Sequence, residues 1–413
     1  MDVTVVGGGI GGLVTALELH RRGIRSVVYE QGSALRELGV GFNLLPHAVR
    51  VLDDLDLVDA LDAVAVRIGQ LTYAHRLGQP VLQRACGQAA GFDEPQFSCH
   101  RGHVQRVLAD AVRERLGPDA LRLGHRVTGV TQDGSGVRAR FEDGTEADSD
   151  VLVAADGIHS AVRASLFGDE GPPRWNGVQM WRGATDWPAF GRGDLLGRSM
   201  IVAGGTDAKL VVYPIGPGSS PGTVLTNWAI CVRTGRDGDP PPRRQDWSRP
   251  ADPAEAARHA RRFHLDEVDH HALVAATAEI FEFPMCDRDP LPHWGGGRVT
   301  LLGDAAHPMF PMGSNGGGQA ILDARSLAAH LALSPHDPEA ALRAYADERL
   351  PVTADIVLRN RTGGPEMVID EVERRAPDGF DRLEDVMSTD ERDAIVAGYA
   401  QATGATPEQI RRG

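Results

Sequence analysis

The sequence first lacks a membrane span: no apolar run reaches the ~18 residues needed to cross a bilayer. Positive charge is also short. The 43 Lys and Arg stand against 57 Asp and Glu, a net charge of −14. That balance argues against a nucleic-acid partner and an anionic membrane surface. Lysine is nearly missing, because Lys209 is the only one; this reads as coding bias before function. The four cysteines, Cys86, Cys99, Cys231 and Cys286, form no C-x-x-C pair and no secreted disulfide pattern. A reducing, cytoplasmic setting is therefore expected. The chain opens directly on an apolar strand-like run, so no signal peptide is expected. Cys99, His100 and His103 adjoin without a complementary ligand pair, so no metal is expected. No internal repeat is visible.

Glycine, by contrast, is placed with purpose. Asp2-Val3-Thr4-Val5-Val6 is a short apolar run, expected of a buried parallel strand. Gly7, Gly9 and Gly12 follow as G-x-G-x-x-G, with Gly11 between them. Leu13, Ala16, Leu17 and Leu19 show helical spacing, and Gly23 ends that helix. Ser26 to Glu30 reads as the second strand of a βαβ unit. Gly7 makes the tight turn, Gly9 lets a pyrophosphate approach with φ > 0, and Gly12 lets helix pack on strand. The helix N-terminus suits a pyrophosphate. Glu30, 23 positions after Gly7, is placed to meet a ribose diol. This motif alone does not separate FAD from NAD.

Two more segments follow at intervals of roughly 150 residues. One is Asp156-Gly157-Ile158-His159-Ser160, after the buried strand Val151–Ala155. The other is Gly303-Asp304-Ala305-Ala306-His307-Pro308, after the strand Arg298–Leu302. Ligands of open α/β sheets bind at such strand ends, and Asp304 is placed to accept hydrogen bonds from ribityl hydroxyls. Pro311 to Gly318 is a glycine-rich loop leading into the helix Gln319–Ala324. Its free N–H groups, Gly316 and Gly317 among them, would face N1 and the C2 carbonyl of an isoalloxazine. His307 either contacts the flavin or caps a turn.

Between these segments the pattern changes. Leu71 to Phe97 breaks into short strand-like pieces, and all six tryptophans fall between Trp175 and Trp294. Strand-like runs recur at Ser199–Val202, Leu210–Tyr213 and Thr226–Val232. The expected class is α/β: a Rossmann-like FAD-binding domain (1–72, 98–174, 296–360) interleaved with a smaller, mostly antiparallel β-sheet substrate domain (73–97, 175–295), then a C-terminal helical extension (361–413). Gly235 to Pro253, polar and Pro-rich, reads as an exposed loop. His270-His271 is expected on a polar helix face.

Gly7–Gly12 with Glu30, Asp156-Gly157 and Gly303-Asp304 match the three motifs of the class A flavin monooxygenases, the para-hydroxybenzoate hydroxylase-like family. The chain resembles that family over roughly residues 1 to 360. Leu38–Asn43, Ser98–Gly102, Ala155–Arg163, Met180–Gly183 and Asp287–Trp294 make it most similar to phenazine-tailoring members. The resemblance implies bound FAD, a transient NADH or NADPH, and molecular oxygen reacting through a flavin C4a-hydroperoxide. The product would be a hydroxylated planar aromatic or N-heteroaromatic ring, such as a phenazine-type carboxylate, with or without loss of carbon dioxide. It also implies that Arg101 contacts the ribityl or pyrophosphate, that Asp156 holds Arg163, and that Asp304 binds the ribityl chain.

The expected cofactor set is Gly7, Gly9, Gly11, Gly12, Glu30, Arg36, Gly41, Arg101, Val127, Asp156, Asp304, Gly316 and Gly317. His307 and Pro311 are the catalytic candidates. Trp181, Val212, Tyr213, Asn227 and Met309 are the substrate candidates. One departure from the family is Ser314-Asn315-Gly316, where Gly-x-Gly is common. The expected partner is a small aromatic molecule, and the protein is expected to be a monomer or homodimer. A flavin dehydrogenase or reductase that does not use oxygen, and a non-catalytic FAD- or NAD-sensing protein, remain as alternatives.

Overall fold

The computed structural model describes residues 1–35, 40–403 and 406–412. Strand Asp2–Val6 lies between Arg25–Glu30 and Val151–Ala154, parallel to both. It is buried beyond its first residue, which is why its sequence is a continuous apolar run rather than an alternation. Leu121–Leu123 and Val299–Leu301 extend the sheet on either side, and an antiparallel pairing with Gly295–Gly296 closes one edge. Five of these six strands are thus parallel, drawn from four distant parts of the chain. Helices Ile10–Arg21, Arg101–Leu116 and Gly316–Leu333 pack with this sheet. Leu13, Leu17, Val104, Leu108, Ile321 and Leu327 join one core there.

A seven-stranded sheet is built mainly from residues 174–287, with Gln70–Ala74 and Pro80–Ala85 at one edge. All its pairings are antiparallel except Gln70–Ala74 with Ser199–Gly204. Alternate side chains leave it on opposite sides. Trp181, Val212, Trp228 and Ile230 pack on helices Pro253–Ala260 and His270–Ala276. The other side carries Met200, Val202, Tyr213 and Ile215, covered in part by Val368, Ile369, Val372, Met387 and Val396 of the C-terminal segment. The fold class is thus α/β, with a Rossmann-like sheet, a mostly antiparallel second sheet and a helical C-terminal segment.

His270 departs from its expected polar face. It is 2% exposed, and its Nε2 lies 3.0 Å from the Phe263 carbonyl oxygen, so it turns inward as a packed, hydrogen-bonded ring. Among the described residues, no helix is long and apolar enough to cross a membrane.

Candidate flavin and substrate site

The three motif segments converge on one cavity of about 660 Å³ between the two large sheets, lined by Gly9 and Gly11, Ala155 and Gly157, and Gly303 and Asp304. The volume lies within the ~300–1,000 Å³ usual for small-molecule sites.

The glycines of the first motif divide their roles in the order the motif implies, and differ from the expectation in the backbone conformation of Gly9. Gly7 has φ +107°, and a Cβ there would stand 2.2 Å from the Ala155 carbonyl oxygen. A Cβ on Gly12 would stand 2.0 Å from the Gly7 carbonyl oxygen, and one on Gly11 would meet Leu302 and Ala320. Gly9 is different. It caps the helix with φ −74° and has nothing within 4 Å of its Cβ position. The expected φ > 0 at Gly9 is therefore corrected: the strained backbone is at Gly7. Gly9 instead leaves open space at a helix N-terminus, which fits a pyrophosphate.

Glu30 accepts from the Gly8 N–H and the Gly32 N–H, both at 2.7 Å. It pins the phosphate-type turn and keeps two of a carboxylate's roughly four acceptor positions for a ligand. Gln105, missed in the sequence, donates to the Gly8 carbonyl at 2.7 Å. Arg101 opens its helix and lines the cavity; burial lowers its pKa, while Asp304 and Glu30 oppose that shift. Asp304 projects into the cavity, walled by protein. Burial raises its pKa, and His307 and Arg101 offset part of the rise.

Asp156 does not hold Arg163. It accepts from Ser160 Oγ at 2.5 Å and the Ala161 N–H at 2.8 Å, capping the helix Ala161–Phe167. Arg163 is 2% exposed; it pairs with Glu170 and donates to the Ala305 and Ala306 carbonyls at 3.1 and 3.0 Å. The second and third motifs are therefore joined through Arg163 rather than through Asp156.

His307 neither lines the cavity nor merely caps a turn. It is 3% exposed, and its Nε2 lies 2.5 Å from Asp323 Oδ2. Asp323 also accepts from the Gly303 N–H at 3.2 Å and from Arg349 at 2.9 Å. Burial works to raise the Asp323 pKa, but His307 and Arg349 outweigh it and hold the carboxyl below its ordinary value. Sequence reading had only "Asp inside a helix" as a signal for this hub.

Gly316 and Gly317 form the first turn of the 18-residue helix Gly316–Leu333, and that turn faces the cavity. Pro311 and Ser314 line it as well. Gly313 and Ser314 take φ +63° and +58°. Ser314 thus keeps the left-handed backbone that a glycine would supply more easily, and its Oγ accepts from Asn43 at 3.1 Å. Gly41 has no room for a Cβ, with Ile215 and Asn227 within 2.8 Å. Its N–H donates to Asn227 Oδ1 at 2.9 Å. Val127 starts a strand paired with Phe141, outside the cavity lining. Arg36 lies outside the described residues.

Among the substrate candidates, Tyr213 and Met309 line the cavity. Trp181 and Val212 are corrected: both point to the opposite side of the seven-stranded sheet, into its helix-covered core. Asn227 is fully buried and bridges Gly41 to Arg182, outside the lining. The cavity side of the sheet instead carries Met180, Arg182, Val202, Cys231, Phe283 and Met285. Burial pushes the Cys231 thiol up to about 12, so it is no nucleophile at neutral pH. The loop 235–253 is not simply exposed. Its Gln245 and Trp247 line the cavity, and Trp247 lies 4.3 Å from the Phe283 ring; a lone aromatic in a polar loop was the available signal.

The C-terminal segment lines the far end with Glu366, Met367, Asp370 and Arg374. Burial raises the Glu366 pKa to about 7, against an opposing hydrogen bond from the Gly313 N–H. Lys209, 13% exposed, pairs with Asp370 at 2.5 Å and ties this segment to the sheet.

The cavity thus offers a cradle of helix N-termini on one side and, on the sheet side, a largely apolar wall that carries the buried Arg182. Residues 1–360 match the family model described as "FAD binding domain". The chain is 41% identical to a phenazine 1,6-dicarboxylic acid hydroxylase of Lysobacter antibioticus, over 87% of this chain and 89% of that protein. It is 34% identical to a 3-amino-4-hydroxybenzoate 2-monooxygenase of Streptomyces platensis, over 88% of each. Among solved structures, Klebsiella pneumoniae HpxO with FAD and uric acid superposes with a TM-score of 0.76 at 25% identity, covering 99% of this chain and 98% of that one. The chain belongs to the FAD-binding-domain family and is a flavin-dependent aromatic monooxygenase of it.

Proposed function

We propose that this enzyme hydroxylates a planar aromatic carboxylate of the size of a phenazine acid, with the substrate carboxylate held by Arg182. The observation that carries this is the state of Arg182. It is 8% exposed and lines the cavity, yet it donates only to the Gly41 carbonyl at 2.5 Å and to Asn227 Oδ1 at 3.2 Å. Its Nε has no partner, and no carboxylate among the described residues faces it. A buried guanidinium without a counter-ion is costly unless a ligand supplies one. Met180, Phe283, Met285 and Trp247 line the same cavity with apolar and aromatic surface, suited to fused rings.

Gly9, Gly11, Glu30, Arg101, Asp304, Gly316 and Gly317 would hold FAD, the first helix N-terminus taking the pyrophosphate and the second the electron-rich ring edge. Bound there, FAD would supply the redox chemistry, passing electrons from a transient NAD(P)H to molecular oxygen, one atom of which enters the ring and the other leaves as water. The chain's own part is to keep the ring flat in a dry slot and its carboxylate on Arg182. We read residues 1–72, 98–174 and 296–360 as the FAD-binding part, and 73–97 with 175–295 as the substrate part. The acidic charge and free cysteines support a cytoplasmic setting with neither nucleic acid nor membrane as partner, and we read the protein as a monomer or homodimer. The test is a panel of aromatic acids and their neutral amides, scored for stimulated NADH oxidation under oxygen-18 gas. Phenazine-1,6-dicarboxylate should stimulate turnover and give labelled product. Equal stimulation by the amides would overturn the Arg182 reading, and unlabelled product would overturn the oxygen chemistry.

A further inference from the structure

The family model ends at residue 360, yet the chain beyond it reaches back into the site. Helix Thr389–Ala402 carries Tyr399, 8% exposed, whose ring would be struck at 2.4 Å by a Cβ on Gly313. Its hydroxyl meets three groups. It lies 2.6 Å from Asn360 Oδ1 and 3.1 Å from the Met312 carbonyl oxygen, and it accepts from Asn315 Nδ2 at 3.0 Å. Asn315 and Asn360 are themselves buried, and Asn360 donates to the Phe310 carbonyl at 2.9 Å. Both ends of the loop Phe310–Asn315 are therefore held on one phenol.

That loop needs holding. It places two consecutive residues, Gly313 and Ser314, in the left-handed region, and a non-glycine residue there costs ~1–2 kcal/mol. Such a conformation persists only where the surroundings over-determine it. Tyr399 is one support; the Glu366 carboxylate, accepting from the Gly313 N–H at 3.2 Å, is another. Behind Asn315 the polar chain continues to Gln319, Arg349 and Asp323, which receives the Gly303 N–H of the third motif.

We propose that Tyr399 is a positioning residue for the cavity-facing loop Pro311–Asn315, so that the C-terminal segment is a working part of the flavin site. The proposal rests on the flavin reading of that cavity. Without the hydroxyl, Asn315 and Asn360 lose their shared partner, and the Ser314–Gly316 backbone no longer presents its N–H groups in one arrangement.

The test compares Tyr399→Phe, which keeps the ring, with Thr277→Val. The latter deletes a buried hydroxyl that bonds Trp228 on the far side of the seven-stranded sheet, remote from the cavity. Two measurements are made: FAD affinity by flavin fluorescence, and amide hydrogen exchange of peptides spanning 309–318 in the FAD-free protein. Tyr399→Phe should weaken FAD ~10-fold, the equivalent of one net hydrogen bond, and speed exchange in that peptide. Thr277→Val should change neither. Asn315→Ala, which cuts the same link from the other side, should reproduce the exchange change. Wild-type FAD affinity and wild-type exchange in Tyr399→Phe would overturn the proposal. Wild-type protein that binds no FAD would overturn the flavin reading instead, while the exchange comparison would still report on the loop.

Discussion

The two sides of the seven-stranded sheet are made of nearly the same kinds of residue and do opposite work. The far side sets Trp181, Val212, Trp228 and Ile230 against two helices and is closed. The near side sets Met180, Val202, Tyr213 and Phe283 toward a cavity and adds one buried, uncompensated arginine. One side stores stability; the other gives some of it up for a ligand.

The sharpest break of that contrast is a matched pair of truncations. Trp228→Ala should cost about 3–5 kcal/mol in denaturant unfolding, since it empties a closed core and removes the buried hydrogen bond from the indole to Thr277. Met180→Ala should cost less than half of that, because its side chain already borders open space, and should show mainly in turnover. Equal costs would mean that the near side is as closed as the far one.

Arg182→Met sharpens the comparison in the other direction. It should leave stability unchanged or raise it, because an unpaired buried charge is removed. KM for an aromatic acid should rise by a factor equivalent to ~1.5–3 kcal/mol, the worth of a charged hydrogen bond. Arg182→Lys should not restore it, since a point charge lacks the planar fork. Loss of stability in Arg182→Met, with KM unmoved, would make Arg182 a structural brace.

These predictions also mark what could be read from the residues alone. The βαβ unit, the strand ends at Asp156 and Asp304, and the strands around 199–232 were legible because parallel strands are continuously apolar and glycine turns have a fixed spacing. The side to which a residue points was not. Between Trp228 and Val232 nearly every residue is buried, so the polar–apolar alternation that would assign a face is absent. Trp181 and Val212 therefore read no differently from their neighbours, although adjacent Met180, Arg182 and Tyr213 are the ones that line the cavity. His307 failed differently: its partner Asp323 is 16 residues on, across a loop and helix whose path only the fold supplies.

The smallest expected effect concerns the C-terminal cover of the near side. Glu366 faces the Gly313 N–H, with Lys209, Asp370, Tyr73 and Tyr399 around it. Its pKa rises on folding from 4.5 to about 7. The folded state then binds the proton more tightly, so this contribution is full below pH 4.5 and is lost as pH rises through about 7. Glu366→Gln should remove that fall. In FAD-free protein it should gain on the order of 1–2 kcal/mol relative to wild type between pH 5 and 8, read from urea midpoints. A constant gap across that range would refute the assignment.

Lys209 has a practical consequence. It is the only lysine in the chain, it lies within the strand Ala208–Pro217, and its ammonium is engaged by Asp370. A lysine-specific endoprotease therefore has one internal target, and hydrogen-bonded sheet withholds it from the folded molecule. Each cleavage into 1–209 and 210–413 records one opening event at the cavity wall. Brief digestion across a urea series would thus count open molecules directly, and protection by a bound aromatic acid would report affinity without any assay of turnover.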